Sequence, residues 1–519
     1  MEAVNFPILS TVIFLPLLGV LLILFVDKED TYLQKWIAFY VTLIDFFLSL
    51  FLFFGFETSS KIQFVEKIEW IKSIGVQYYL GIDGISLFLV LLTTFLCPIC
   101  IAACWRDIQD KVREFLISFL VLETSMLGVF CALDLFLFYI FWELMLIPMF
   151  LLILVWGAPA RRVYAAVKFF IYTMFGSLFM LVGILALYFY HGKVTGNYTF
   201  DLLKLYELSI PFKLQFWLFL AFGIAFAIKV PMFPFHTWLP DAHTEAPTVG
   251  SVILAGVLLK MGTYGFVRFN LPLFPEASVY FMPLMAVLAI IGIIYGAFMC
   301  LVQKDLKRLI AYSSVSHLGF VMLGIFALNM QGLEGGLIQM INHGLSTGAL
   351  FLLVGMIYER RHTRLIAEFG GLSKVMPVFA TFFMIVTLAS IGLPGLNGFI
   401  GEFLIMLGAF KTKYVYGVLA ALGVILAAWY MLWMYQRVMF GRIVHKVNLK
   451  LKDLCAREIA LLIPLVIGIV WIGVHPNTFL SRMEPSVSKV LANFEKAKVA
   501  KMDLRDLMLI KNNKKDRDL

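Results

Sequence analysis

The chain has 519 residues, of which 61% are hydrophobic and 14% charged, with a mean hydropathy of +0.92. An apolar share this far above that of a soluble domain excludes a water-soluble enzyme and indicates an all-α polytopic membrane protein. The net charge of +9 does not call for nucleic acid as a partner, because most Lys and Arg lie in short loops between apolar runs or in the tail, where membrane topology accounts for them.

Runs of about 20 residues, enough to cross ~30 Å of hydrocarbon, are expected at about 7–26, 36–56, 85–105, 114–133, 135–156, 164–190, 214–230, 249–268, 279–300, 309–328, 335–358, 375–394 continuing to 410, 414–440 and 457–474, about fourteen in all. The first residues, MEAVNFP, carry an acid where a signal peptide needs bases, so the first run is expected to stay as an anchor. Loops bearing Arg106, Lys111, Arg161, Arg162, Lys304, Lys307, Arg361 and Arg364 are assigned to the inner side, and both termini to the outer side. The basic tail after Arg482 argues the other way but weighs less than short-loop charges.

The loop from Glu57 to Gly84 alternates in FVEKIEWIKSIGVQYYLGIDG and predicts a surface hairpin. The third span holds Pro98, a kink signal, among Cys97, Cys100 and Cys104; with no fourth ligand at suitable spacing these read as buried thiols. Glu123, in the fourth span beside Thr124 and Ser125, serves either a packing network or proton transfer. Glu143 sits in the middle of the fifth apolar run with Pro148 five residues on, and its expected partner is a cation on a neighbouring helix. Lys168 is placed to snorkel to the interface or to feed protons inward.

The seventh span carries Lys229 and is then broken by Pro231 and Pro234. A charge at that depth costs ~2.5–3.5 kcal/mol, and irregular backbone survives there only inside protein or along a wet cavity, so Lys229 is the obvious partner for Glu143 and the segment marks an ion path. The following loop holds His236, Asp241, His243 and Glu245; the histidine spacing is wrong for a helical zinc pair, and a hydrated polar mouth is expected, with no metal. Lys260 ends the next apolar stretch. YSSVSHLG then places His317, and NHGLSTGALF places Asn342 and His343, at comparable depth on successive helices. Two groups that titrate near neutrality read as a relay.

The twelfth span repeats the design of the seventh. Gly392, Pro394, Gly395, Gly398 and Gly401 interrupt it, and Glu402 follows in the apolar half that resumes. Five spans separate the two breaks. An odd number of spans per unit makes spans 4–8 (114–268) and 9–13 (279–440) inverted five-helix repeats, each with a broken helix, as in transporters. Residues 1–113 then form an N-terminal unit of three helices and the outer loop, and residues 457–519 the last span with an amphipathic tail, expected to lie along a membrane surface or a neighbouring subunit.

FWELMLIPM, the Lys229 segment with HTWLPDAHTEAPT, YSSVSHLG, NHGLSTGALF and GLPGLNGFIGEF together resemble the antiporter-like membrane subunits of respiratory complex I, from about residue 80 to about 440. The resemblance implies fourteen helices in two inverted repeats and a subunit that moves protons while other subunits oxidise NADH and reduce quinone. Carried over by motif, Glu143 tunes Lys229, Lys260 connects, His317 and His343 continue the polar axis, and Glu402 is the terminal proton site. Lysine stands at the Glu402 position in chains L and N and in multisubunit sodium/proton antiporters, so glutamate points to the remaining complex I member, with L and N as flanking partners. Proton inlet or supporting roles fall to Glu123, Lys168 and His236. The resemblance further implies no cofactor in this chain, with NADH, FMN, iron-sulfur clusters and quinone in partner subunits, and a bacterial inner membrane with periplasmic termini. The alternatives are a subunit of a sodium/proton antiporter or of a related membrane-bound hydrogenase.

Overall fold

Backbone in hydrocarbon has to satisfy its own N–H and C=O groups, and the apolar runs accordingly fold as helices. The computed structural model describes residues 6–443, 445–492 and 494. In chain order they form α1 (Ile8–Phe25), α2 (Thr31–Phe54), the hairpin β1 (Gln63–Ile71) and β2 (Val76–Ile82), α3 (Leu87–Ala103), α4 (Val112–Cys131), α5 (Leu135–Leu144), α6 (Leu146–Trp156), α7 (Arg162–Thr195), α8 (Phe212–Lys229), the short α9 (Trp238–Glu245), α10 (Thr248–Leu273), α11 (Pro275–Leu301), α12 (Leu306–Ile325), α13 (Met330–Arg361), α14 (Pro377–Ile391), α15 (Asn397–Thr412), α16 (Tyr414–Met439) and α17 (Ala456–Val474). Twelve helical stretches among the described residues are long and apolar enough to cross a bilayer, α5 and α6 counting as one. The shorter apolar helices α3 and α14 fall at the two remaining expected positions.

Helix starts follow from their capping residues. Asp30 accepts from Leu33 N (3.0 Å), Asp134 from Phe136 N (2.9 Å) and Leu137 N (3.1 Å), and Asp305 from Arg308 N (3.0 Å). α1 begins after Pro7 with no cap of its own. Instead Glu66 of β1 takes the orphan N–H groups of Leu9 (2.8 Å) and Ser10 (3.2 Å), so the expected hairpin anchors the first span. The register pairs Glu66 with Leu80 and Ile68 with Tyr78.

α10 and α13 form the centre: residues 249–274 contain no position that reaches the surface. α2, α7 and α16 lie outside and turn Phe47, Phe175 and Trp429 outward, the side on which lipid substitutes for protein contact. The loops expected on the inner side share one face. Ala158 N donates to Glu245 O (2.7 Å), Leu306 N to Arg364 O (2.9 Å) and Ile366 N to Lys304 O (2.9 Å). The N-terminal end of α1 lies on the opposite, hairpin face, as does the helical stretch after α17. There Ser486 accepts from Gly84 N (3.1 Å) and Phe479 packs on Phe88. The amphipathic tail therefore begins on this chain's own loops; the rest of that expectation, residues 495–519, lies outside the described residues.

Below the hairpin, Arg268 donates to both carboxylate oxygens of Asp83 (2.8 and 2.5 Å) and to Ser86 Oγ (3.0 Å). Burial pushes the Asp83 carboxyl up, but the Arg268 charge and hydrogen bonds and the N–H groups of Ser86 and Ile85 outweigh it and hold it below its ordinary range. Asp83→Ala strands the guanidinium and should cost about 3–5 kcal/mol, read as a lower Tm and yield of the purified protein. Asp83→Leu combined with Arg268→Met should recover most of that loss.

Candidate functional site

α8 ends where the sequence runs out of N–H donors. Pro231 cannot bond the Ala227 carbonyl, which instead accepts from Met232 N (2.9 Å), and the last helical residue is Lys229. Its side chain is buried, with Nζ 3.2 Å from Met145 Sδ and over the rings of Trp142 (5.3 Å) and Phe169 (5.6 Å). These are cation-π and sulfur contacts, which tolerate an ammonium without fixing it.

The expected Lys229–Glu143 ion pair is not formed. Among the described residues no oxygen of Glu143 lies within the 4.0 Å of an ion pair with Lys229, and Glu143 Oε1 is buried without a hydrogen-bond partner. The reason is local. Glu143 lies in the last turn of α5, and the helix is interrupted at Met145 before α6 resumes, so Trp142 and Met145 present to the lysine while Glu143 is turned aside beside Tyr139, still in electrostatic reach of Lys229.

α10 carries Lys260 between two π-helical turns, Leu254–Leu258 and Phe266–Asn270. The sequence gives no clear sign of them, and π turns gather at functional sites. Lys260 Nζ donates to the Ala255 carbonyl in the first wide turn and meets His343 Nδ1 at 2.7 Å. Glycines permit this approach. A Cβ on Gly344 would stand 3.0 Å from Gly256 O, and one on Gly262 would stand 2.8 Å from Val230 N, next to Lys229.

From His343 the row continues to His317, ring centroids 5.9 Å apart, and His317 Nδ1 lies 3.0 Å from Glu402 Oε1. Gln339 Nε2 donates to the same oxygen (3.2 Å), and Asn342 donates to Gln339 Oε1 (3.0 Å) and to Asn397 O (2.8 Å). These donors sit at the second break, between Gly392 (φ 83°), Gly395 (φ 90°) and the start of α15. Glu402 Oε2 and His343 Nε2 have no hydrogen-bond partner among the described residues, so one free position lies at the Glu402 end of the row and one within it. Four of the six expected relay residues are thus a contact series, Lys260, His343, His317 and Glu402. Lys229 adjoins it through the α8–α10 backbone contact, and Glu143 stands off.

The remaining expected residues disperse. Lys168 Nζ bonds Asp241 Oδ2 (2.8 Å) and Thr237 O (2.9 Å), tying α7 to α9 rather than snorkelling freely. His236 is held by the rings of Phe233 and Tyr295. Glu245 borders an open recess of about 910 Å³ on the basic face, with Asp107, Trp156, Lys307, Tyr358 and Arg364. The polar quartet of the loop is therefore split among different partners. His243, expected in a hydrated polar mouth, is instead fully buried, stacks on Phe351 at 4.8 Å, has no partner on either ring nitrogen among the described residues, and lies in electrostatic reach of both Lys307 and Lys260. Its signal was periodic: it falls on the inward face of α9 with Leu239 and Ala242. Glu123 lies off the row, on α4.

At the second break Gly401 faces the Glu402 donors closely, since a methyl there would stand 2.2 Å from Gln339 Oε1 and 3.0 Å from Asn342 Nδ2. Gly401→Ala should cost about 1–3 kcal/mol and lower the thermal midpoint of the purified protein. Gly348→Ala, whose methyl would rest 3.6 Å from Val252, should leave that midpoint nearly unchanged.

The chain is similar to known proteins over nearly its whole length. Residues 132–439 match the family described as "NADH:quinone oxidoreductase/Mrp antiporter, TM", and residues 11–131 match "NADH-ubiquinone oxidoreductase chain 4, amino terminus". The chain is similar to NADH-ubiquinone oxidoreductase chain 4 of Marchantia polymorpha, 48% identical over 484 residues that cover 93% of this chain and 97% of the relative. It is also similar to NADH-quinone oxidoreductase subunit M of Rhodobacter capsulatus, 46% identical over 505 residues that cover 94% and 97%. A chain of the respiratory complex I structure from Thermus thermophilus superposes with a TM-score of 0.84 at 32% identity, covering 93% of this chain and 99% of that one.

Proposed function

The chain belongs to the family of NADH:quinone oxidoreductase membrane subunits named subunit M or chain 4, and from that premise we propose that it carries protons across the membrane along the row from Lys229 to Glu402. It is a multi-pass membrane subunit of an oxidoreductase complex; the redox chemistry, with NADH, FMN, iron-sulfur clusters and quinone, belongs to partner subunits, and this chain holds no cofactor. The observation that supports the reading is the contact series Lys260, His343, His317 and Glu402, each buried, each able to take and return a proton, running from the helix packed on the first break to the second break itself.

Protons enter from the recess on the basic face, by way of Lys307 and His243, and reach Lys260. Glu143 is the tuning group. The interruption at Met145, with Pro148 three residues on, gives α5 a joint at which the carboxylate moves toward Lys229 or away from it. An anion at ~4–6 Å favours the charged lysine, and its withdrawal favours release. One pKa unit is ~1.36 kcal/mol, and moving a unit charge against 100 mV needs ~2.3 kcal/mol, so a change of about two units at Lys229 drives one proton. Exit is at Glu402, whose free Oε2 lies against the broken backbone at Gly392.

The glutamate at position 402 and the chain 4 match over residues 11–131 favour an electron-transfer complex over a gradient-driven sodium/proton antiporter or a hydrogenase. Chains L and N are the expected neighbours in the membrane arm, and an energy-coupling membrane such as the bacterial inner membrane the setting. The basic face is the inner one and both termini are periplasmic.

The test is donor-dependent proton uptake in vesicles holding the intact complex. Lys229→Ala and Glu402→Gln should each lower protons moved per electron by about tenfold or more with the assembled complex still present. Glu143→Gln should weaken pumping with assembly unaffected, because the carboxylate holds no structural ion pair. Normal pumping in Glu402→Gln would remove the proposed exit.

A further inference from the structure

A second set of buried ionisable groups lies outside the row, between α2 and α4. Asp45 on α2 and Glu123 on α4 are both 0% exposed, and all four carboxylate oxygens lack a hydrogen-bond partner among the described residues. The two helices pack directly on each other, with α3 against both, and the two carboxyls lie in electrostatic reach of each other. Thr124 Oγ1, next along α4, is likewise buried and unpartnered.

Among the described residues no cation on the neighbouring helices is free to neutralise the pair. Of the cations on α2, α4 and the helices packed on them, Lys35 donates to Trp105 O (2.9 Å) and Ile108 O (3.0 Å), Arg113 bonds Leu24 O, Lys260 is turned to His343 and Arg268 is held by Asp83. α1 brings no ionisable side chain and α6 none. α3 brings the thiols of Cys97 and Cys100, Cys131 ends α4, β2 brings Tyr78 and Tyr79, and α5 brings Tyr139 and Glu143. Two like charges in apolar surroundings without a counter-ion cannot both persist, so at least one of these acids has to hold a proton.

We propose that Asp45 and Glu123 form a carboxylate pair that binds and shares a proton, a second protonatable site separated from the Lys260–His343 contact by α3. The separating wall is apolar: Leu92 and Leu96 of α3 stand against Gly344 and Gly256, within ordinary contact of where their Cβ atoms would be or closer. The occupancy of the site is therefore set by its own two acids.

A hydrophobic carbodiimide, which modifies protonated carboxyls in apolar surroundings, tests this on the purified intact complex, with adducts located by peptide mass spectrometry across a pH series. An adduct on Asp45 or Glu123 is expected at pH values where exposed carboxylates are fully ionised. Asp45→Asn removes the like charge, so Glu123 holds its proton less firmly. Its half-labelling point should fall by about one pH unit, which is about tenfold less adduct at a fixed alkaline pH. Glu123→Gln gives the reciprocal reading on Asp45 if the first variant does not assemble. Absence of adduct on both acids, a half-labelling point unmoved in the variants, or protection by sodium ions at constant ionic strength, which would make this a metal-cation site, each overturns the proposal.

Discussion

Everything in this molecule answers to one electrostatic constraint: an ionised side chain taken out of water must be neutralised, hydrogen-bonded or able to shed its charge. The structure uses all three solutions and sorts them by position. Near the hairpin face, Arg268 and Asp83 neutralise each other in a fixed fork, and near the basic face Arg360 and Glu458 do the same at 2.6 Å. Between these two locks the charges are not fixed. Lys229 has sulfur and aromatic rings for company, Lys260 a carbonyl and an imidazole, Glu402 an imidazole and an amide with one oxygen open. Rigid pairs hold the ends of the bundle while the middle is left exchangeable.

That middle depends on backbone proximity as much as on side-chain chemistry. His343 reaches Lys260 because Gly344 and Gly256 let α13 and α10 almost touch, and α10 meets the end of α8 because Gly262 rests against Val230. The π turn at Leu254–Leu258 supplies a carbonyl that the Lys260 ammonium of the next turn can use. A regular α-helix would commit that carbonyl to its own ladder. Irregular backbone is tolerated at this depth because it is enclosed by protein on every side, which is why the central helices are the fully buried ones.

How much of this was legible beforehand follows the physics of each signal. Apolar length located the twelve stretches long enough to cross a bilayer among the described residues, since bilayer thickness leaves little freedom in where a helix can lie. The two breaks were readable at Pro231 and at Gly392–Gly395, because missing donors and positive φ are local properties. Buried ionisable residues named Lys229, Lys260, His317, His343 and Glu402 for the same reason: each is costly where it stands. The Lys229–Glu143 pairing failed because it required knowing which way α5 faces after an interruption that only tertiary packing creates. His243 was passed over since a proline-rich stretch reads as a loop, although α9 folds it inward. Asp45 sits one turn from Ser49 and Thr42 in a peripheral span, where a polar stripe on an otherwise lipid-facing helix is easily taken for a helix contact.

The unequal provisioning of the two ends also bears on direction. Glu402 is oriented by donors that are themselves fixed, Gln339 by Asn342 and Asn342 by the Asn397 carbonyl at the second break, so its carboxylate is held in a stiff framework. Lys229 has no such framework, and Glu143, the carboxylate in its electrostatic reach, precedes the interruption at Met145. A row with a stiff terminus and an adjustable origin responds to a stimulus at the adjustable end, because only there does a small movement change the charge balance. On the proposed function, the switch therefore belongs at the first break, and the second, held by the rest of the bundle, serves as the outlet.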